Sequence, residues 1–297
     1  MRTTFKTLNS RLDYNSPPMR LWQKAKKYGT WNPNDIDLSQ DIEDFKSLAE
    51  NEKEYFRQLI GQFQAGEEAV TLDLLPLIMA VAKEGRLEEE IFLTSFLWEE
   101  AKHVDGFNRI LVEVVGDPDD LHRFMFPSYQ KIFYDLLPNA LDALKDDPSP
   151  VNQAVASVTY NMIVEGVLAE TGYHSFYEVL NNFNIMPGIK EFVGKLKQDE
   201  SRHIAYGIFL LSRLVAENGE EVWNAIEKQM QILMEPAVSL VQEGYDYFGD
   251  NMPFGLQSDQ FTGYAMDQFQ KRFARIQRAR TQTLEEIYKV AELQVTD

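Results

Sequence analysis

The chain has no cysteine among its 297 residues. Disulfides, iron–sulfur clusters and thiolate zinc sites are therefore excluded. Histidine is scarce, with 4 residues, so imidazole chemistry has few bearers. Basic side chains are also in deficit, 29 against 47 acidic, which gives a formal charge of −18. That balance argues against a nucleic-acid or anionic-membrane partner, because phosphate recognition needs clustered Lys and Arg. Most of the excess serves solubility, but part of it could be neutralised by bound cations. No run approaches the ~18 apolar residues of a membrane span. The opening "MRTTFKTLNSRLDYN" lacks the apolar stretch of a signal peptide. The expectation is a soluble, cytoplasmic protein.

Strand-like alternation is also nearly missing. What is present is long helical periodicity, expected over roughly 40–84 (with a break near Asn51), 86–115, 127–146, 150–183, 187–218, 220–248 and 257–290. Gly116-Asp117-Pro118, "KDDPSP" before Val151 and Met186-Pro187-Gly188 punctuate the series. Residues 1–38 are rich in Asn, Pro and Asp and read as an irregular arm. With no Gly/Ser-rich linker, residues 1–297 are expected to form a single domain. Helices this long suit a bundle whose members pack side by side.

Within "LWEEAKH", Glu100 and His103 stand three residues apart on a stripe otherwise made of Phe92, Phe96, Phe107 and Ile110. "KQDESRH" repeats the pattern with Glu200 and His203, beside Leu196, Gly207 and Leu210. Each pair has an upstream carboxylate in register with apolar residues. Glu67 lies with Phe63, Val70 and Leu74; Glu165 lies with Val155, Val158, Met162 and Ala169. The chain thus says the same thing twice: Glu, one helical hairpin, Glu-x-x-His. Neighbouring Glu68 and Glu99 fall off the stripes and are expected in solvent. His122, in the turn-like "DPDDLH", and His174 are assigned no role.

One Glu from each of two helices plus Glu-x-x-His from each of two others is the ligand set of di-iron and di-manganese carboxylate bundles. The i,i+3 spacing puts carboxylate and imidazole on one face, and both donor types suit manganese and iron. Two divalent ions would offset four carboxylates whose unpaired burial would be prohibitive. Metal storage and a metal-free helical scaffold are the rival classes for such a bundle.

"EEAKH" and "DESRH", with Glu67 and Glu165 upstream and "WNPNDIDL" near the start, resemble the ferritin-like superfamily. Within it they resemble the small subunit of ribonucleotide reductase, and most of all the ligand-binding oxidases related to that subunit. The resemblance runs from residue 1 to about 285 and implies an all-α ferritin-like bundle with a dinuclear metal site in its core. It implies Glu67, Glu100, His103, Glu165, Glu200 and His203 as ligands of one manganese and one iron, two irons being the alternative pairing. It further implies an oxygen-dependent two-electron oxidase, a long-chain fatty acid ligand, a homodimer, and an ether bond joining Val70 to Tyr160. Asp199 is implied as the partner of His103, Trp31 as the end of an electron path, and Tyr173 as a nearby phenol. On a regular helix Tyr160 lies about 140° around from Glu165, so spacing alone does not select it; a local π-bulge would turn it inward. The alternative is a radical-generating reductase subunit. Against it, Phe107 stands where that subunit usually has its radical tyrosine, and the ending "EEIYKVAELQVTD" continues a helical pattern with no long docking tail.

Overall fold

The computed structural model describes residues 4–116 and 120–290. Among them there are helices and connecting turns and no strand. The helices are α1 (Pro17–Tyr28), α2 (Ser39–Ser47), α3 (Glu50–Asp73), α4 (Leu75–Lys83) and α5 (Leu87–Ile110, extended by a π-helical turn Leu111–Val115). They continue as α6 (127–146), α7 (150–183), α8 (Pro187–Asn218), α9 (Glu220–Asp246), α10 (Ser258–Gln277) and α11 (Leu284–Val290). The architecture is an all-α, ferritin-like bundle. α3 packs along α5, α7 along α8, and α5 against α8, so the four stripes noted above face one interior.

Local chemistry explains most boundaries. The break in the first long pattern falls at Leu48–Ala49, where Glu52 accepts a hydrogen bond from the Ala49 N–H. A second break at Leu74 separates α3 from α4, whose first turn holds Pro76, a residue tolerated there and poor inside a helix. α8 begins after Met186, which adopts a left-handed conformation (φ 51°). Its first amides donate to buried Asp41, from Gly188 at 2.9 Å and Ile189 at 2.6 Å, so α2 caps α8. Gly188 is required there: a Cβ would sit 2.4 Å from the Asp37 carbonyl oxygen.

The expected irregular arm needs correction. Residues 17–28 form a twelve-residue helix that buries Pro17, Pro18, Met19, Leu21 and Ala25 against α5 and α8. Tandem prolines suggested a turn, yet at the first helical positions they lack no needed hydrogen bond. The expected 257–290 helix is interrupted by a 3₁₀ turn, Arg278–Thr281. Of the break at Gly116-Asp117-Pro118, the last two residues lie outside the described residues, as does the 291–297 end of the chain.

Candidate metal centre

Glu67 comes from α3, Glu100 and His103 from α5, Glu165 from α7, and Glu200 and His203 from α8. All six are buried, each at most 6% exposed. They converge as two overlapping sets, Glu67, Glu100, His103 and Glu200, then Glu100, Glu165, Glu200 and His203, with donor atoms of each set within 4.8 Å of one another. Glu100 and Glu200 belong to both sets. The two imidazole rings are 6.1 Å apart between centroids. His103 Nδ1 lies 3.5 Å from Glu67, 3.6 Å from Glu100 and 3.4 Å from Glu200. His203 Nδ1 lies 3.2 Å from Glu100 and 3.5 Å from Glu165 and from Glu200.

These side chains are poorly satisfied by one another. Both Nδ1 atoms, one oxygen each of Glu100 and Glu200, and Glu165 Oε1 have no hydrogen-bond partner although buried. Buried polar atoms left orphaned in a cluster are the mark of a site built for something else, here cations. Burial pushes Glu67 up to about 8 even with His103 beside it. Burial, reinforced by Glu200, holds Glu165 well above the carboxylate range. For Glu100 burial is outweighed by the two imidazoles, which keep it below the usual range. Burial disfavours imidazolium, but the surrounding carboxylates raise both histidines far above their ordinary value. On their own, then, Glu67, Glu165 and the two histidines are shifted toward their protonated forms, where divalent ions would do the same neutralising work. The donor set and its orphaned atoms fit a dinuclear metal pair.

The outward nitrogens of the imidazoles are held in matching ways. His103 Nε2 is 3.3 Å from Asp199, which also accepts from Trp31 Nε1 at 2.8 Å and Lys102 Nζ at 2.9 Å. The structure thus brings Asp199 and Trp31 to the back of His103, and the Trp31 ring stacks on it at 6.2 Å. His203 Nε2 is 2.9 Å from Glu99. Glu99 is therefore not in solvent, as the stripe pattern suggested, but fully buried, and it accepts from Arg202 at 2.6 Å. Arg202 also donates to Asp199, tying the two outer carboxylates together. A signal for Glu99 did exist: Asp199 precedes Glu200 just as Glu99 precedes Glu100, so the internal repeat pairs them. Glu68 is exposed, as expected, and His122 is exposed too; His174 stacks on Tyr264 at 4.4 Å, away from the cluster.

Tyr160 lies in a π-helical segment, Val158–Ala169, within α7. In that geometry residues five apart come into line, so Tyr160 and Glu165 share a face. The fully buried Tyr160 Oη reaches Glu100 at 3.2 Å and the Val70 carbonyl oxygen at 3.5 Å. Tyr173 is buried, stacks on Phe63 at 5.2 Å, and has no hydrogen-bond partner for its hydroxyl. A cavity of about 120 Å³ opens beside the cluster, lined by Glu67, Val70, Glu100, Glu165 and Glu200 at one end. Apolar Phe63, Phe133, Val164, Leu168, Leu240 and Val241 line it further along.

Comparison with known proteins gives the same picture. The family described as "Ribonucleotide reductase, small chain" matches residues 14–277. The R2-like ligand-binding oxidase from Sulfolobus acidocaldarius is 40% identical over 97% of this chain and 99% of that one, with a TM-score of 0.88. The chain belongs to the R2-like ligand-binding oxidase family. A further R2-like ligand-binding oxidase, with aerobically reconstituted Mn/Fe cofactor, is 38% identical over 93% of this chain and 98% of that one, TM-score 0.89. Another, a variant with anaerobically reconstituted Mn/Fe cofactor, is 38% identical over 92% of this chain and 98% of that one, TM-score 0.85. Membership carries the ribonucleotide reductase small-subunit-like fold, and the relatives are oxidases. No helix among the described residues is long and apolar enough to cross a membrane.

Proposed function

We propose that the chain is an oxygen-dependent two-electron oxidase whose Glu67, Glu100, His103, Glu165, Glu200 and His203 hold one manganese and one iron. The observation that carries this reading is the shared pair Glu100 and Glu200, which link two four-residue donor sets into one buried cluster. When bound, the metal pair supplies the reducing power that activates dioxygen and the oxidising equivalents that follow. Asp199 and Glu99 fix the tautomers of His103 and His203, so that Nδ1 of each presents a lone pair to the cluster. The apolar wall excludes water from the reacting groups.

The first target within the protein is the Val70–Tyr160 pair. A C–O bond forms as a C–H bond of Val70 and the O–H bond of Tyr160 break, releasing two protons and two electrons, with dioxygen as final acceptor. Glu100, 3.2 Å from the phenol, is placed to receive the phenolic proton. The cavity suits a long-chain fatty acid with its carboxylate at the metal end and its chain along the apolar wall. Exposed Leu72, Leu75, Met79, Trp98 and Val112 on α3, α4 and α5 support a homodimer, and a cytoplasmic location completes the reading. Peptide mass spectrometry after aerobic reconstitution with manganese and iron tests it. Joined Val70 and Tyr160 peptides, lighter by two hydrogens, are expected; Tyr160→Phe should load metal yet stay unlinked. Unlinked peptides in the unaltered chain would refute the crosslinking reading.

A further inference from the structure

The cavity has a second polar end, away from the carboxylate cluster. Tyr55, Gln58, Ser175 and Tyr245 line it there. Tyr55 and Gln58 precede Glu67 on α3 by twelve and nine residues, so they stand roughly 18 and 14 Å from it along the helix axis. Tyr55 is 5% exposed and Gln58 6%. The amide oxygen of Gln58 is buried without any hydrogen-bond partner, while the buried hydroxyls of Tyr55 and Tyr245 have only each other and Ser175 within reach and make no well-formed bond. The phenols are not free to turn away. Tyr55 packs edge-on against Phe56 and Phe254, and Tyr245 stacks on Phe261 at 5.2 Å. Gln58 is accommodated by Gly244, where a Cβ would lie 2.7 Å from its Nε2. The Ser175 hydroxyl already donates to the Thr171 carbonyl at 3.1 Å.

Leaving one acceptor buried and unused, and two phenol donors only loosely engaged with each other and Ser175, is costly unless a ligand uses them. We propose that this end of the cavity binds a hydroxyl group, so that the preferred ligand is a long-chain hydroxy acid with its hydroxyl at or near the tail. A hydroxyl can accept from a phenol and donate to the Gln58 oxygen at once, whereas a carbonyl can only accept. A second carboxylate is excluded, because no Lys, Arg or His lines the cavity among the described residues and the charge would be buried unpaired. A plain methyl end would fill the space but leave the Gln58 oxygen unsatisfied and the phenols no better bonded than before. This inference rests on the fatty-acid reading above and narrows its substrate class.

The test is displacement of a fluorescent fatty acid from the delipidated, metal-loaded full chain by palmitate, its ω-hydroxy derivative and the corresponding dicarboxylic acid. The hydroxy acid should bind about tenfold or more tightly than palmitate, and the diacid more weakly than either. Gln58→Leu with Tyr55→Phe should erase the hydroxy acid's advantage over palmitate. The ranking within the unaltered protein stands whether or not the variants fold. Equal affinities for palmitate and its hydroxy derivative would overturn the inference and leave the fatty-acid reading intact. Displacement by none of the three would overturn both. Crystallographic water bridging the two phenols and Gln58 in the palmitate complex, with no gain for the hydroxy acid, would assign the polar end to solvent and also overturn the inference.

Discussion

Replacing Glu99 by alanine tests whether the outer carboxylates belong to the site. Glu99, Arg202 and His203 are each at most 2% exposed. The substitution removes two contacts together, Arg202 Nη2 at 2.6 Å and His203 Nε2 at 2.9 Å. Taking away one member of a buried ion pair costs about 3–5 kcal/mol, because the other charge is left behind in a dry interior. Arg202 keeps Asp199, so the lower end, about 3 kcal/mol, is expected. His203 also loses the group that fixes its ring, which should weaken metal binding by about 10- to 100-fold. Glu68→Ala is the control: the same residue type, exposed, with an expected change within about 0.5 kcal/mol. Urea titration of the metal-stripped chain reads the first effect as a shift in midpoint, and chelator competition for Mn(II) and Fe(II) reads the second. Glu99→Gln keeps an acceptor and should fall between. A Glu99→Ala loss below about 1 kcal/mol, or metal affinity equal to that of the control, would refute the role given to Glu99.

Gly207→Ala should cost about 1–3 kcal/mol by overpacking, since its Cβ would meet Asn161 Cβ at 2.3 Å. Asn161 donates to Glu165 at 3.0 Å, so metal affinity should fall with it, whereas Gly263→Ala, with nothing nearby, should be neutral or stabilising; equal effects at both glycines in the same assays would contradict this. The metal-stripped chain should lose stability as pH rises. Glu67 titrates at about 8 when folded against an ordinary 4.5, so its contribution is complete below pH 4.5 and is lost as pH climbs through 8. Glu165 and both histidines are shifted in the same direction. Urea midpoints measured across that window should decline for the stripped chain, and less for Glu67→Gln and for the metal-loaded protein. A flat profile for the stripped chain would count against proton-for-metal exchange in the cluster.

The convergence of the six donors was legible because two properties coincide: i,i+3 spacing on an apolar stripe, and repetition of that stripe in both halves of the chain. Glu99 escaped because a stripe reads only one face of a helix. It sits one residue before Glu100, about 100° around, and that direction meets Arg202 and His203 on α8 rather than water. Tertiary packing decides such a residue, and only the parallel with Asp199 could have signalled it. Helix α1 escaped for a compositional reason. Pro17 and Pro18 break helices in the interior but start them at the first turn, and local composition does not say which applies.

Tyr160 shows a different limit. Its distance of five residues from Glu165 is wrong for an α-helix and right for a π-helix, and no residue type in Val158–Ala169 announces the change of period. The change does have a consequence at the site. With an α-helical period, either Glu165 could face His203 or Tyr160 could face Glu100, but not both from one helix. The wider turn lets α7 present a carboxylate 3.5 Å from His203 Nδ1 and a phenol 3.2 Å from Glu100 together. An oxidisable side chain is thereby held against the metal-binding groups without displacing a ligand. On the proposed function, the irregular helix is what would let a cation-holding bundle direct its chemistry at its own tyrosine.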